Sequence, residues 1–124
     1  MESPKILIVD DVEMNREMLR VALSGEFSDF LHASNGVEAF DLLSMHQDVS
    51  LVLLDMSMPV MDGFEVLSLI KHDTGMRSIP IIVVTASRED AARALGNGAD
   101  DFLTKPFDPV ELSIRVRNQI NKKN

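Results

Sequence analysis

Short apolar runs alternate along the chain with segments of helical periodicity. The runs cover residues 6–9, 51–54 and 81–84, with weaker ones at 30–33 and 102–103. Continuous runs rich in Val and Ile are typical of strands that are buried on both faces. The run at 30–33 is shorter and more polar, which suits a strand at the edge of a sheet.

The segments between the runs carry apolar residues at the spacing of amphipathic helices. In the first segment they recur at i, i+4, i+7 and i+8, and in the second at i, i+3 and i+4: Met14, Met18, Val21 and Ala22, then Ala39, Leu42 and Leu43. A further short helix is predicted over residues 91–95. Ser87 with Asp90 three residues later resembles a capping box, and residues 96–98 (Gly-Asn-Gly) offer a left-handed cap.

The last segment, residues 110–117, alternates strictly between apolar and polar residues, which alone favours a strand. Its start signal nevertheless predicts a helix, with a cap, a proline at the first helical position and an acid three residues beyond the cap: Asp108, Pro109 and Glu111. One helix face then carries Leu112, Val116 and Ile120. Val110 and Ile114 either widen this stripe or face a partner.

Together these elements make five βα units, and we predict one α/β domain over residues 1–124. Such alternation favours a parallel sheet that is covered by helices on both faces and joined by right-handed crossovers. In open sheets of this kind, ligands bind beyond the carboxyl ends of the strands, where the strand order reverses.

Composition narrows the classes of function. The net charge of −8 would repel a phosphate backbone, so we expect no nucleic-acid binding by this chain alone. Cysteine is absent, which removes disulfides and thiolate metal sites. No apolar run approaches the ~18 residues needed to cross a bilayer, so we expect no membrane contact and a cytoplasmic location.

Polar side chains follow the predicted strands at the edge where ligands bind. These residues are Asp10, Asp11, Asp55, Thr85 and Lys105. Three carboxylates brought together repel one another unless a cation or a proton compensates. An all-oxygen set favours Mg²⁺ or Mn²⁺ over zinc.

Asp55 is the candidate nucleophile of this set. A carboxylate can attack a phosphoryl group to form an aspartyl phosphate, a transfer in which the protein mainly positions groups and neutralises charge. Lys105 would supply a positive charge and Thr85 a hydroxyl donor to the phosphoryl oxygens. Taken singly, Thr85 suits a structural strand residue and Lys105 a solvated surface charge.

Four sequence segments, taken in their order along the chain, resemble the receiver domain of two-component response regulators. They read ILIVDD (6–11), LVLLDMSMPVMDG (51–63), PIIVVTA (80–86) and GADDFLTKPF (98–107). The resemblance implies a flavodoxin-like (βα)5 fold with a five-stranded parallel sheet of order 2-1-3-4-5. It covers nearly the whole chain.

The resemblance also implies roles for individual residues. Asp55 would be the phosphoacceptor, and Mg²⁺ would be held by Asp10, Asp11, Asp55 and the backbone carbonyl of Ser57. Thr85, Ala86 and Lys105 would form the phosphoryl-binding set, with Ala86 small enough to leave access to Asp55. Thr85 and Phe102 would act as switch residues, and the Lys105–Pro106 peptide would be cis. A plain core role for Phe102 is the alternative.

The implied function is a phosphoacceptor signalling switch and not an enzyme. Its phosphoryl donor would be a histidine kinase or a histidine phosphotransfer protein, and its response would change the face around the fourth helix, fifth strand and fifth helix. A homodimer or an output domain would bind through the face around the last helix.

Two other classes of function are kept as alternatives. A magnesium-dependent phosphatase with an aspartate nucleophile also uses a strand-end Asp, but it usually needs a second acid where Ser57 stands. The other class is an inert interaction module whose acidic edge is unused.

Overall fold

The computed structural model describes residues 3–56, 58 and 62–122. The strands are β1 (Lys5–Val9), β2 (Asp29–Ala33), β3 (Val49–Asp55), β4 (Ile81–Thr85) and β5 (Asp101–Thr104). The helices are α1 (Glu13–Leu23), α2 (Gly36–Met45), α3 (Gly63–His72), α4 (Arg88–Gly96) and α5 (Pro109–Lys122). The alternation of strands and helices predicted from the sequence is confirmed.

All five strands are parallel and lie in the order β2-β1-β3-β4-β5. This confirms the predicted flavodoxin-like fold, with β2 at one edge. The strand order reverses between β1 and β3, where Val9 pairs with Leu54. The next residues along the two strands, Asp10 and Asp55, therefore emerge side by side at the carboxyl edge.

The central strands are apolar on both faces because helices cover both sides of the sheet. Leu7 and Val9 belong to a core cluster that includes buried residues of α2, α3 and α4. Ile6 and Ile8 belong to a second cluster with buried residues of α1 and α5. Successive residues of β1 thus enter opposite halves of the core, which is the period-two geometry of a strand.

Helix α1 is correctly predicted, but of its proposed stripe only Ala22 packs against the core. Met14, Met18 and Val21 are 72%, 54% and 58% exposed, whereas Leu19 and Leu23 are buried. Apolar residues extend over a wide arc of this helix, and contact with the sheet selects Leu19 and Leu23 from that arc. The stripe instead borders an open groove between α1 and the start of α5.

The predicted caps are present at α4 and α5. The Ser87 hydroxyl accepts a hydrogen bond from Asp90 N at 3.1 Å, and Asp108 Oδ1 accepts one from Val110 N at 2.8 Å. Beyond α4, Gly98 adopts a left-handed φ of 106°. Helix α4 is longer than the predicted 91–95, because its first turn at Arg88 follows the cap directly.

Helix α5 forms despite the alternating pattern of residues 110–117. Leu112 and Val116 are buried in the core as predicted, and Ile120 packs against it. Val110 and Ile114 are 66% and 45% exposed. These two residues therefore do not widen the buried stripe.

Candidate functional site at the carboxyl ends of the strands

Three carboxylates converge where the strand order reverses. Asp10 and Asp55 are buried at 2% and 6% exposure, and Asp11 is exposed. One oxygen of each lies within 4.8 Å of the others. The sequence prediction that these acids meet at one edge agrees with this geometry, which follows from the paired ends of β1 and β3.

The loop after β1 is held by several hydrogen bonds. Asp10 N donates to Ala33 O at 3.1 Å, and Asp10 Oδ1 accepts from Val12 N at 2.9 Å. Arg16 Nη1 donates to Asp10 O at 2.6 Å. Both the backbone and the carboxylate of Asp10 are therefore fixed. The bond to Ala33 O also ties Asp10 to the end of β2.

Lys105 reaches the acids from the loop after β5. Its Nζ lies 3.5 Å from Asp55 Oδ1 and 3.8 Å from Asp10 Oδ2, so one cation is shared by two nearly buried carboxylates. Lys105 N donates to Thr85 O at 2.9 Å, which aligns this loop with the end of β4. The Lys105–Pro106 peptide is cis, the isomer that the resemblance implies.

Thr85 is buried at the end of β4. Its Oγ1 accepts a hydrogen bond from Ser87 N at 3.1 Å. A hydroxyl that accepts one bond keeps its proton free to donate another. Ala86, the next residue, is exposed and adds only a methyl group to the edge.

Phe102 lies apart from the acids, in the middle of β5. It is half-buried and packs against the core on the side of α4. The Arg115 guanidinium carbon lies 5.5 Å from the centre of its ring, at cation–π distance. Burial lowers the pKa of the Arg115 guanidinium, but hydrogen bonds to Asp101 at 2.7 Å and to Glu111 at 3.1 Å outweigh it, so the pKa is raised above its ordinary value.

Two contributors to the site were missed in the sequence. Arg16 looks like an ordinary polar residue of α1, and nothing in its spacing indicates the contact with Asp10. Gly63 ends the motif at 51–63, and its place in the sequence indicates no role for it. A Cβ placed on Gly63 would lie 2.5 Å from Met56 Cα and 2.7 Å from Asp55 O, so a side chain would displace the backbone beside Asp55.

The donor set fits a hard divalent cation. It consists of carboxylate oxygens, which Mg²⁺ and Mn²⁺ prefer. Oxygens bound at about 2.1 Å to one Mg²⁺ are at most ~4.2 Å apart, and the three carboxylate oxygens lie within 4.8 Å of one another. The remaining predicted ligand, the Ser57 carbonyl, lies outside the described residues.

Comparison with known proteins assigns the family. The model of the response regulator receiver domain matches residues 6–117. The chain belongs to the response regulator receiver family.

Relatives of this receiver domain include two larger proteins. It is 41% identical over 118 residues to the response regulator PleD of Caulobacter vibrioides, covering 94% of this chain and 26% of PleD. It is 39% identical over 117 residues to the transcriptional regulatory protein SrrA of Staphylococcus aureus, covering 93% of this chain and 47% of SrrA. The receiver domain thus spans about a quarter and about half of these relatives.

A solved structure also resembles it. The signal receiver domain of a signal transduction histidine kinase from Syntrophus aciditrophicus superposes with a TM-score of 0.88 at 34% identity. The match covers 97% of this chain and 92% of that chain. Within the described residues, no helix is both long and apolar enough to span a bilayer.

Proposed function

We propose that this receiver domain, taken as residues 1–124, accepts a phosphoryl group on Asp55 from a phosphohistidine. The donor would be a histidine kinase or a histidine phosphotransfer protein. The observation that carries the proposal is the convergence of Lys105 Nζ and three carboxylates on one edge, with Asp55 Oδ1 3.5 Å from the ammonium. Membership of the receiver family supports the same reading.

In the proposed transfer, a carboxylate oxygen of Asp55 forms a bond to phosphorus while the bond from phosphorus to the donor imidazole breaks. The imidazole leaves with the electron pair of that bond and takes up a proton. Lys105 stabilises the charge on the phosphoryl oxygens, and the Thr85 hydroxyl donates to one of them. Asp10 and Asp11, with Asp55, would hold Mg²⁺, which supplies charge neutralisation and alignment when bound.

The response to phosphorylation would begin at Thr85. Its Oγ1 accepts from Ser87 N, and Ser87 is the cap of α4. If the Thr85 side chain rotates to donate to a phosphoryl oxygen, its Oγ1 moves, and the hydrogen bond from Ser87 N is altered. A phosphoryl group can bias two conformations only by binding one of them better, and we propose that Thr85, α4 and Phe102 form the element with two conformations.

The proposed output surface is the face of α4, β5 and α5. Val110 and Ile114 of α5 are exposed, and Phe102 of β5 is half-buried. A second copy of the chain or an output domain would cover these apolar side chains. PleD and SrrA, which are two to four times longer than the matched segment, are consistent with an attached output region.

The phosphoacceptor is tested by intact-mass measurement after incubation with acetyl phosphate and Mg²⁺. We expect one added phosphoryl group on the wild type and none on Asp55→Asn. Asp48→Asn, which alters an exposed acid paired with Lys5, is the matched control and should label normally. Equal labelling of Asp55→Asn and wild type would remove Asp55 from the role, and steady phosphoester turnover without a label would favour a phosphatase.

The switch is tested separately with Phe102→Ala. This variant should label like the wild type but respond differently in a partner-binding assay with and without the phosphoryl group. An unchanged response would contradict the switch role of Phe102. The acceptor role of Asp55 would stand in that case.

A further inference from the structure

We infer that Arg16 is a positioning residue for the cation site, which it serves by fixing the peptide that joins Asp10 to Asp11. This inference rests on the proposed function. Arg16 lies in the first turns of α1, and its Nη1 donates to the carbonyl oxygen of Asp10 at 2.6 Å. That carbonyl belongs to the peptide between the two N-terminal acids.

The contact matters most for Asp11, because this residue is exposed and follows the fixed peptide directly. Asp10 is already held by Ala33 O and Val12 N, as described above. Asp11 has its orientation set by the peptide plane before it. A hydrogen bond from a guanidinium to that plane therefore limits where the Asp11 carboxylate can lie relative to Asp10 and Asp55.

A second observation separates Arg16 from an ordinary surface arginine. Its Nε is buried and has no hydrogen-bond partner in the described part of the chain. A buried donor without a protein partner usually destabilises the folded state, and native structures contain few of them. The Arg16 side chain thus leaves its buried Nε without a partner, while its Nη1 reaches the Asp10 carbonyl at the site.

The guanidinium could instead act only through its charge. A positive charge near the acids would offset their mutual repulsion and would oppose the binding of a divalent cation. The two roles predict opposite results. Loss of positioning weakens Mg²⁺ binding, whereas loss of charge alone strengthens it.

The experiment follows the amide shifts of ¹⁵N-labelled protein during a Mg²⁺ titration, without any phosphodonor. Arg16→Lys keeps the charge but loses the planar donor, and Arg16→Gln loses both. For Arg16→Lys we expect the half-saturating Mg²⁺ concentration to rise by about tenfold, the size typical for residues that orient metal ligands. For Arg16→Gln we expect a smaller rise, because the lost positive charge offsets part of the lost positioning. Arg20→Lys is the matched control, because Arg20 lies one turn later and pairs with Glu17 on the surface.

Thermal unfolding in EDTA shows whether each variant remains folded without metal. If Arg16→Lys binds Mg²⁺ like the wild type, the positioning role is overturned while the cation site stands. Tighter binding by Arg16→Gln overturns it in favour of a charge effect. Absence of Mg²⁺ binding by the wild type overturns both this inference and the proposed cation site.

Discussion

Lys105 Nζ lies 3.5 Å from Asp55 Oδ1, although 50 residues separate the two along the chain. The Lys105 side chain is a third exposed, and the Asp55 side chain is almost fully buried. The same Nζ lies 3.8 Å from Asp10 Oδ2. Lys105 therefore compensates part of the negative charge that the folded chain concentrates at this edge.

Replacing Lys105 with Met should destabilise the metal-free protein. The methionine keeps most of the aliphatic volume but leaves Asp10 and Asp55 with less positive charge nearby. We expect the free energy of unfolding to fall by roughly 1.5–3 kcal/mol, the range for hydrogen bonds to charged groups. Urea unfolding in EDTA measures this loss of stability. The exposed Lys122→Met serves as control, and an equal loss in both variants would contradict the argument.

Replacing Asp11 with Asn should have the opposite effect in the absence of metal. It removes one of three like charges within 4.8 Å, so the repulsion between them decreases. We expect the melting temperature in EDTA to rise by a few degrees. Added Mg²⁺ should then stabilise the variant less than the wild type, because a ligand has been lost. A lower melting temperature in EDTA would show that Asp11 is not repelled by its neighbours.

Replacing Gly63 with Ala should destabilise the fold beside the site. The new Cβ would meet the backbone of Met56 at 2.5 Å, and backbone cannot yield as a flexible side chain can. A loss of roughly 1–3 kcal/mol is expected from overpacking. Gly96→Ala is the control, since nothing lies within 4 Å of its added Cβ at the end of α4. It should be neutral or stabilising, by up to about 1 kcal/mol. Equal effects would contradict the close approach.

His32 should make stability depend on pH. Burial is the main reason that the pKa of His32 lies below its ordinary value of 6.5, with Arg16 adding to the effect. Below pH 6.5 the unfolded chain binds a proton that the folded chain resists, so stability decreases as the pH falls through this range. His32→Gln should flatten this decrease, as followed by chemical unfolding between pH 8 and pH 5. The control His46→Gln still has His32, so it should show the same decrease in stability as the wild type. Identical dependence of stability on pH in the wild type and both variants would contradict this account.

Much of this fold could be predicted from local pattern. The runs at 6–9, 51–54 and 81–84 became β1, β3 and β4, because strands covered on both faces need apolar residues at every position. Turn and cap chemistry located the later helices, including α5, where the start signal at Asp108 outweighed the alternation that followed it. A helix cap acts through neighbouring residues, so its signal is complete in the sequence.

The buried face of α1 could not be predicted in the same way. Apolar side chains occupy several faces of that helix, and the sequence does not state which one meets the sheet. The contact with Leu19 and Leu23 leaves Met14 and Met18 exposed. The rotation of the helix about its own axis, which packing on the sheet sets, decides between these faces.

By itself, the sequence determined which residue types follow each strand, and hence that Asp10, Asp11, Asp55, Thr85 and Lys105 share one edge of a parallel sheet. The tertiary structure alone decided the distances between them, the bond from Arg16 to Asp10 and the approach of Gly63 to Met56. The physical reason is the separation along the chain over which each kind of interaction acts. Hydrophobic period, capping and turn propensity act over a few residues, whereas these contacts depend on strand register and helix packing across the whole chain.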